Sequence, residues 1–243
     1  MMPERAQGGR AGPESARAGQ FTPGQAVPES LRAYKTLMGR ASAQFIINKS
    51  RFIGHGAPVS TEEDALAFLR EIRTLHKDAS HNCYAYIVGI NKGIMRYSDD
   101  GEPGGTAGLP IIELLKARDV TNCCVVVTRY FGGVLLGAGG LVRAYAQGAK
   151  AALEAARVGV MHPTARYLIE LDYGLLDRVT HELKDHPCVV EDKAFTDKAS
   201  LTVRVREVDE AALVAAVTRV TDARAQLCRV EECYLPWQDA EEA

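Results

Sequence analysis

Two glycine-dense, charged turns, each feeding a helix and set on either side of a short apolar strand, constrain this chain more than any other feature. The first is Ser98-Asp99-Asp100-Gly101-Glu102-Pro103-Gly104-Gly105-Thr106-Ala107-Gly108. The second is Thr128-Arg129-Tyr130-Phe131-Gly132-Gly133, continued by Gly137-Ala138-Gly139-Gly140-Leu141-Val142-Arg143-Ala144-Tyr145. Cys124-Val125-Val126-Val127 lies between them. Glycine weakens strands and helices, so this density marks backbone that needs positive φ or close approach by another group. The special surface of the molecule is expected here.

The 243 residues suffice for two modest cores, or for one core and an arm. A net charge of -2 gives no bulk attraction for a polyanion, so any nucleic-acid contact needs a local basic face. No apolar run approaches the ~20 residues that cross a bilayer, and no export h-region is visible near the start. A cytoplasmic protein without a membrane partner is expected. The cysteines (Cys83, Cys123, Cys124, Cys188, Cys228, Cys233) form no C-x-x-C pair, and Cys123 and Cys124 point to opposite faces of a strand. Buried reduced thiols are therefore expected, rather than zinc or disulfides.

Residues 1–30 are rich in Gly, Pro, Ala, Arg and Gln without apolar periodicity and read as a disordered arm. A first domain over 31–160 opens with strands at 44–47 and 51–54 around a turn at Asn48-Lys49-Ser50. Ser60-Thr61-Glu62-Glu63 has capping-box spacing and starts a helix ending near Lys77, with Leu66, Leu69, Ile72 and Leu75 on one side. A strand over 83–88 pairs with 93–97. A short helix over 111–117 carries Pro110 in its first turn. Cys123 to Thr128 is a buried strand, and the longest helix runs from Leu141 to Arg157. Its inner stripe is Leu141, Tyr145, Ala149, Ala152 and Leu153. Gly159 and His162-Pro163 mark a domain boundary. A second domain over 165–235 follows, in the order strand, helix, strand, strand, helix, strand, and 236–243 is a tail. That βαββαβ order predicts a ferredoxin-like sandwich, so the fold class is α+β.

Each candidate site has two readings. Asp99, Asp100 and Glu102 can ligate Mg²⁺, which takes carboxylate oxygens and phosphate. They can equally make the turn and cap the helix after it, and this second reading carries more weight because a metal needs fixed ligand geometry. Gly132, Gly133, Gly137, Gly139 and Gly140 precede the long helix, where free N–H groups and the helix dipole favour an anion. Arg129 and Arg143 add positive charge suited to phosphate, and Tyr130 and Phe131 can stack on bases or on a partner. Tight helix–sheet packing explains the same glycines equally well. His81 and Cys83 share a strand face, but no acid orients them, so a structural thiol is expected and no catalytic residue is assigned. Arg204, Arg206 and Arg224 can line a nucleic-acid face, but no aromatic pair for stacking on bases accompanies them, so a solvated sheet face is the default expectation.

Taken together, SDDGEPGGTAG at 98–108, TRYFGG at 128–133 and LGAGGLVRAY at 136–145 closely resemble the Impact/YigZ family. Lys49-Ser50-Arg51-Phe52-Ile53 and His81-Asn82-Cys83 match further family positions, and the resemblance spans roughly Tyr34 to Tyr234. It implies a first domain like the second domain of ribosomal protein S5, with a left-handed βαβ crossover, and a second domain like domain V of elongation factor G. It also implies that the two glycine turns face one another. Eukaryotic members resemble translational regulators acting through a partner that controls an initiation-factor kinase. The leading expectation is thus a non-enzymatic cytoplasmic binder in translation control, engaging ribosome, RNA or a regulatory protein through these loops, with no cofactor. The alternative is a Mg²⁺-dependent nucleotide- or phosphoester-binding enzyme.

Overall fold

The computed structural model describes residues 32–237. The arm over 1–30 and the tail from 238 onward lie outside the described residues. The fold is α+β, with two five-stranded sheets.

In the first sheet, β2 (Ala41–Ile47) and β3 (Ser50–Pro58) form a hairpin. Its two turn residues, Asn48 and Lys49, have φ of 46° and 65°. Paired positive φ is the geometry of a two-residue turn whose twist matches the strands. β4 (His81–Val88), β5 (Ile94–Ser98) and β6 (Cys123–Tyr130) complete the order β2-β3-β6-β4-β5, antiparallel throughout. The central strand, β6, is apolar on both faces because both faces are covered. Cys123, Val125 and Val127 pack on α2 (Gly108–Ala117) and α3 (Gly137–Ala156), while Cys124 and Val126 pack on α1 (Glu62–Leu75). Ala144, Gly148, Ala149 and Ala152 are buried, and their small side chains let α3 lie close on the sheet.

α1 starts one residue later than its spacing predicts. Thr61 is the cap, its hydroxyl accepting from Asp64 N at 3.1 Å while Asp64 Oδ2 accepts from Thr61 N at 3.0 Å. The buried stripe is Ala65, Phe68, Leu69 and Ile72, and Leu66 and Leu75 face outward. A wider apolar face than the sheet can cover left two of the expected residues exposed.

The second sheet has the order β10-β7-β9-β8, from β7 (Val158–Leu171), β8 (Cys188–Phe195), β9 (Ala199–Arg206) and β10 (Gln226–Pro236). Helices α4 (Tyr173–Glu182) and α5 (Glu207–Val220) complete the expected βαββαβ series. Leu201, Val203 and Val205 are buried in its core, while Thr202, Arg204 and Arg206 stand on the other face.

The expected boundary at 158–164 is instead continuous strand. β7 runs through His162-Pro163, and Pro163 lies just before pairing with β9 begins at Thr164, so its missing N–H breaks no bond to β9. A strand not foreseen, β1 (Tyr34–Leu37), pairs with Val158–Met161 and places the start of the described chain in the second sheet. The split at 160 therefore does not divide the sheets. The expected tail begins too early as well, since Pro236 ends β10 and the Trp237 Nε1–H donates to Thr164 Oγ1 at 2.9 Å.

The thiols are all free. Cys83, Cys123 and Cys124 are buried, Cys188 and Cys233 half-buried, and Cys228, expected inside, is exposed.

His55 on β3 is 3% exposed; a 2.7 Å hydrogen bond joins its Nδ1 to Ser42 Oγ, and its Nε2 has no partner. Burial, with His76 beside it, pushes its pKa down from 6.5 to about 4. The unfolded chain then binds more protons between these values, so stability is complete above pH 6.5 and falls as pH drops towards 4. The expected loss across this window is roughly 2–3 kcal/mol at about 1.36 kcal/mol per pKa unit, augmented by the lowered His76. Urea unfolding at pH 7, 5.5 and 4.5 measures it. Equal stability at pH 7 and 4.5 would contradict the buried geometry.

Candidate functional site

The two glycine-dense turns meet. A cleft of about 480 Å³ lies between them, with Gly101, Glu102 and Pro103 on one side and Phe131, Leu135, Leu136, Gly137, Ala138 and Leu141 on the other. Ser80, His81 and Arg129 complete its lining. β4 and β6, adjacent in the sheet, place His81 opposite Arg129.

Arg129 is not the free anion ligand the sequence predicts. Its Nη1 donates to Glu102 Oε1 at 2.7 Å, with side chains only 6% and 3% exposed, and its Nη2 reaches Ser50 Oγ at 3.4 Å. Tyr145 Oη donates to the same Glu102 oxygen at 2.7 Å. The floor of the cleft is thus a buried, neutralised ion pair. A buried pair of this kind holds a local arrangement more than it adds net stability.

The three turn acids do not converge on a metal. Asp99 Oδ1 accepts from Ala107 N at 3.0 Å and Gly108 N at 2.8 Å, and Oδ2 from Gly105 N at 2.8 Å. Asp99 therefore closes the turn and caps α2, whose own cap position is Ala107 and has no side-chain acceptor. Asp100 Oδ2 accepts from Asn82 N at 2.6 Å and Oδ1 from Arg73 Nη2 at 2.9 Å. Glu102 holds Arg129. Among the described residues no group of three or more His, Cys, Asp or Glu is arranged to hold a metal ion. The carboxylates answer backbone donors and internal cations.

Of the other expected residues, Tyr130 faces away from the cleft. It is hydrogen-bonded to His76 Nδ1 at 2.9 Å, with the Arg51 guanidinium 4.2 Å from its ring centroid. Phe131, 48% exposed, lines the cleft instead. Gly132 is held against the hairpin turn: a Cβ there would sit 2.1 Å from the Lys49 carbonyl carbon, and only glycine fits. Gly133 stands open beside it. The Gly137–Gly140 segment is not a loop before the helix but the first turn of α3, which begins four residues earlier than expected. Of these glycines Gly137 lines the cleft; Gly139 and Gly140 do not. Arg143 is exposed and makes no ion pair among the described residues.

Ser80, His81, Leu135 and Leu136 were not singled out for the cleft. His81 carried a signal, its place beside Cys83, but for the wrong chemistry. A 2.8 Å hydrogen bond joins its Nδ1 to the Asp100 carbonyl oxygen, which leaves Nε2 towards Glu102 at 3.9 Å. Cys83 Sγ donates to the Asp99 carbonyl oxygen at 2.9 Å, and burial pushes its pKa up to about 12. A thiol held neutral in this way is no nucleophile.

The arginines of the second sheet are balanced too. Arg204 lies 3.8 Å from Glu191 and stacks 5.4 Å from the Trp237 ring centroid, and Arg206 pairs with Asp209 at 2.9 Å. Arg166 pairs with both Glu191 and Glu231. Arg224 lies 3.7 Å from Asp222. No helix among the described residues is long and apolar enough to cross a membrane.

Residues 48–153, which carry the whole cleft, match the Impact N-terminal domain, and residues 169–224 match a domain of unknown function, DUF1949. A crystal structure of a hypothetical protein superposes with a TM-score of 0.53 at 31% identity, covering 82% of this chain and 98% of that one. The IMPACT family member YigZ of Escherichia coli (strain K12) is 41% identical over 129 residues, 52% of this chain and 63% of that protein. Protein IMPACT of Xenopus laevis is 39% identical over 95 residues, 37% of this chain and 30% of that protein. The IMPACT family member YvyE of Bacillus subtilis (strain 168) is 36% identical over 211 residues, 84% of this chain and 94% of that protein. Likeness over both sheets, at that identity and coverage, means that this chain belongs to the IMPACT family.

Proposed function

We propose that this chain is a non-enzymatic, cytoplasmic binding protein in the regulation of translation, and that it captures a protein partner through the cleft between the acidic turn and the start of α3. The carrying observation is the character of the rim. Phe131 and Leu135 are 48% and 84% exposed beside a floor whose charges are internally paired. Exposed aromatic and aliphatic side chains around a concave centre favour a protein partner. RNA is less well served, because Arg129 is neutralised by Glu102 and no other arginine or lysine lines the cleft among the described residues. The translational role is the one the family resemblance implies for its eukaryotic members.

The test titrates the full chain and a Phe131→Asp/Leu135→Asp variant into a translation extract and reads polypeptide output. The chain should change output, and the variant should need about 30-fold more protein for the same change, as loss of a ~2 kcal/mol contact requires. Equal potency of the two proteins, or no effect of either, would overturn the proposal. RNA retention that survives both substitutions and falls steeply with salt would transfer the function to nucleic acid.

A further inference from the structure

We infer that the cleft takes a tryptophan side chain of the partner protein, whose indole N–H donates to acceptors on the cleft floor. This rests on the reading of the cleft as a protein-binding site and names the side chain that enters it. The first observation is Glu102. Both hydrogen bonds to its carboxylate, from Arg129 and from Tyr145, end on Oε1. Oε2 accepts none from the described residues and, unlike Arg129 Nε, it is not sealed from solvent. Since Glu102 lines the cleft, that oxygen opens into it.

The second observation comes from another strand. The Asp100 carbonyl oxygen can only accept, so at 2.8 Å it takes the Nδ1 proton of His81. Nε2 of the neutral ring is then a bare acceptor. The His81 side chain, 25% exposed, lines the cleft, with Nε2 3.9 Å from Glu102 Oε1. Two acceptors thus stand side by side, while Arg129 spends Nη1 on Glu102 and Nη2 on Ser50. The complement of such a floor is a donor.

Charge balance selects a neutral one. Glu102 and Arg129 already cancel, so an ammonium, a guanidinium or a carboxylate from the partner would arrive as unbalanced charge beside a buried pair. The walls at Phe131, Leu135, Leu136 and Leu141 call for an apolar body. The Arg129 guanidinium lies 5.3 Å from the Phe131 ring centroid, and this holds the ring at the wall for a second aromatic to pack against. Among neutral donors, indole donates without accepting, so it turns no lone pair towards Glu102 Oε2. It also brings a large apolar surface to a cleft of about 480 Å³. Tryptophan is enriched among the residues that carry most of the energy of protein interfaces.

The test titrates N-acetyl-tryptophan amide into the isotope-labelled full chain and follows NMR spectra. Three further probes accompany it: the isostere in which sulfur replaces the indole N–H, the capped lysine amide, and N-acetyl-tryptophan as the free acid. The tryptophan amide is expected to bind roughly tenfold or more tightly than the sulfur isostere and the lysine amide, as one hydrogen bond to a charged acceptor supports. It should also bind more tightly than the free acid. It should shift the backbone amides of Phe131 and Leu135 and the His81 Nε2 resonance, and Phe131→Asp/Leu135→Asp should abolish these shifts. Every comparison is made on the parent chain, so none depends on the folding of a variant. Equal binding of tryptophan amide and its sulfur isostere, tighter binding of the lysine amide or of the free acid, or no saturable shift at the cleft would each overturn the inference. If Phe131→Asp/Leu135→Asp still abolishes the effect on translation while the indole and its isostere bind equally, the protein-binding role stands and only the indole donor falls.

Discussion

Glu102→Ala is expected to destabilise the protein by about 3–5 kcal/mol, the largest effect of any single change at the site. The substitution leaves the Arg129 charge buried with only Ser50 Oγ at 3.4 Å, and it removes the 2.7 Å acceptor of the buried Tyr145 hydroxyl, which keeps only the Cys83 thiol. Both groups have lost their exchange with water, so neither recovers that interaction when its partner goes. Most of the loss should be an uncompensated charge rather than a lost attraction. Replacing both members, as Glu102→Leu with Arg129→Met, should therefore restore much of the stability that Glu102→Ala removes. Urea unfolding of the three variants measures the difference. If Glu102→Ala stays within about 1 kcal/mol of the parent, the ion pair is hydrated and the cleft has no closed floor.

Asp99→Ala should cost nearly as much, roughly 3–4 kcal/mol, because three backbone N–H groups lose their acceptor at about 1–3 kcal/mol each, offset where water reaches the turn. Hydrogen exchange at Gly105, Ala107 and Gly108 should accelerate ahead of the rest of α2. Asp99→Asn should lie between, since its one amide oxygen can serve Ala107 and Gly108 but not Gly105 as well. Unchanged exchange at those three amides would mean that the turn holds itself, without the carboxylate. A loss of function in Asp99→Ala is accordingly a folding effect until exchange at the turn is shown to be intact.

Both results bear on how a run such as SDDGEPGG is read. Clustered acids beside glycines offer the donor set of a magnesium site and equally the parts of a self-capping turn. Local chemistry cannot separate the two, because the difference lies in which donors face the oxygens. For Asp99 these are N–H groups six to nine residues ahead, within reach of turn reasoning. For Glu102 the partner is a guanidinium 27 residues away, brought there by the pairing of β4 with β6. Arg129 was visible as a cation and its neutralisation was not.

The same division runs through the fold. β6, the βαββαβ order of the second sheet and the inner stripe of α3 were legible, because each depends on the period of apolar residues along a few turns or one strand. β1 was not, since four residues carry too little pattern and its partner lies in the strand that follows α3. The sequence by itself thus determined which elements form, which faces are apolar, and that two glycine turns carry the unusual surface. Only the tertiary structure decided that those turns face one cleft, that Phe131 and not Tyr130 looks into it, and that its charged floor is already paired. The physical reason is range: periodicity and capping act between neighbours along the chain, whereas the partner of a buried charge is chosen by strand pairing across the sheet.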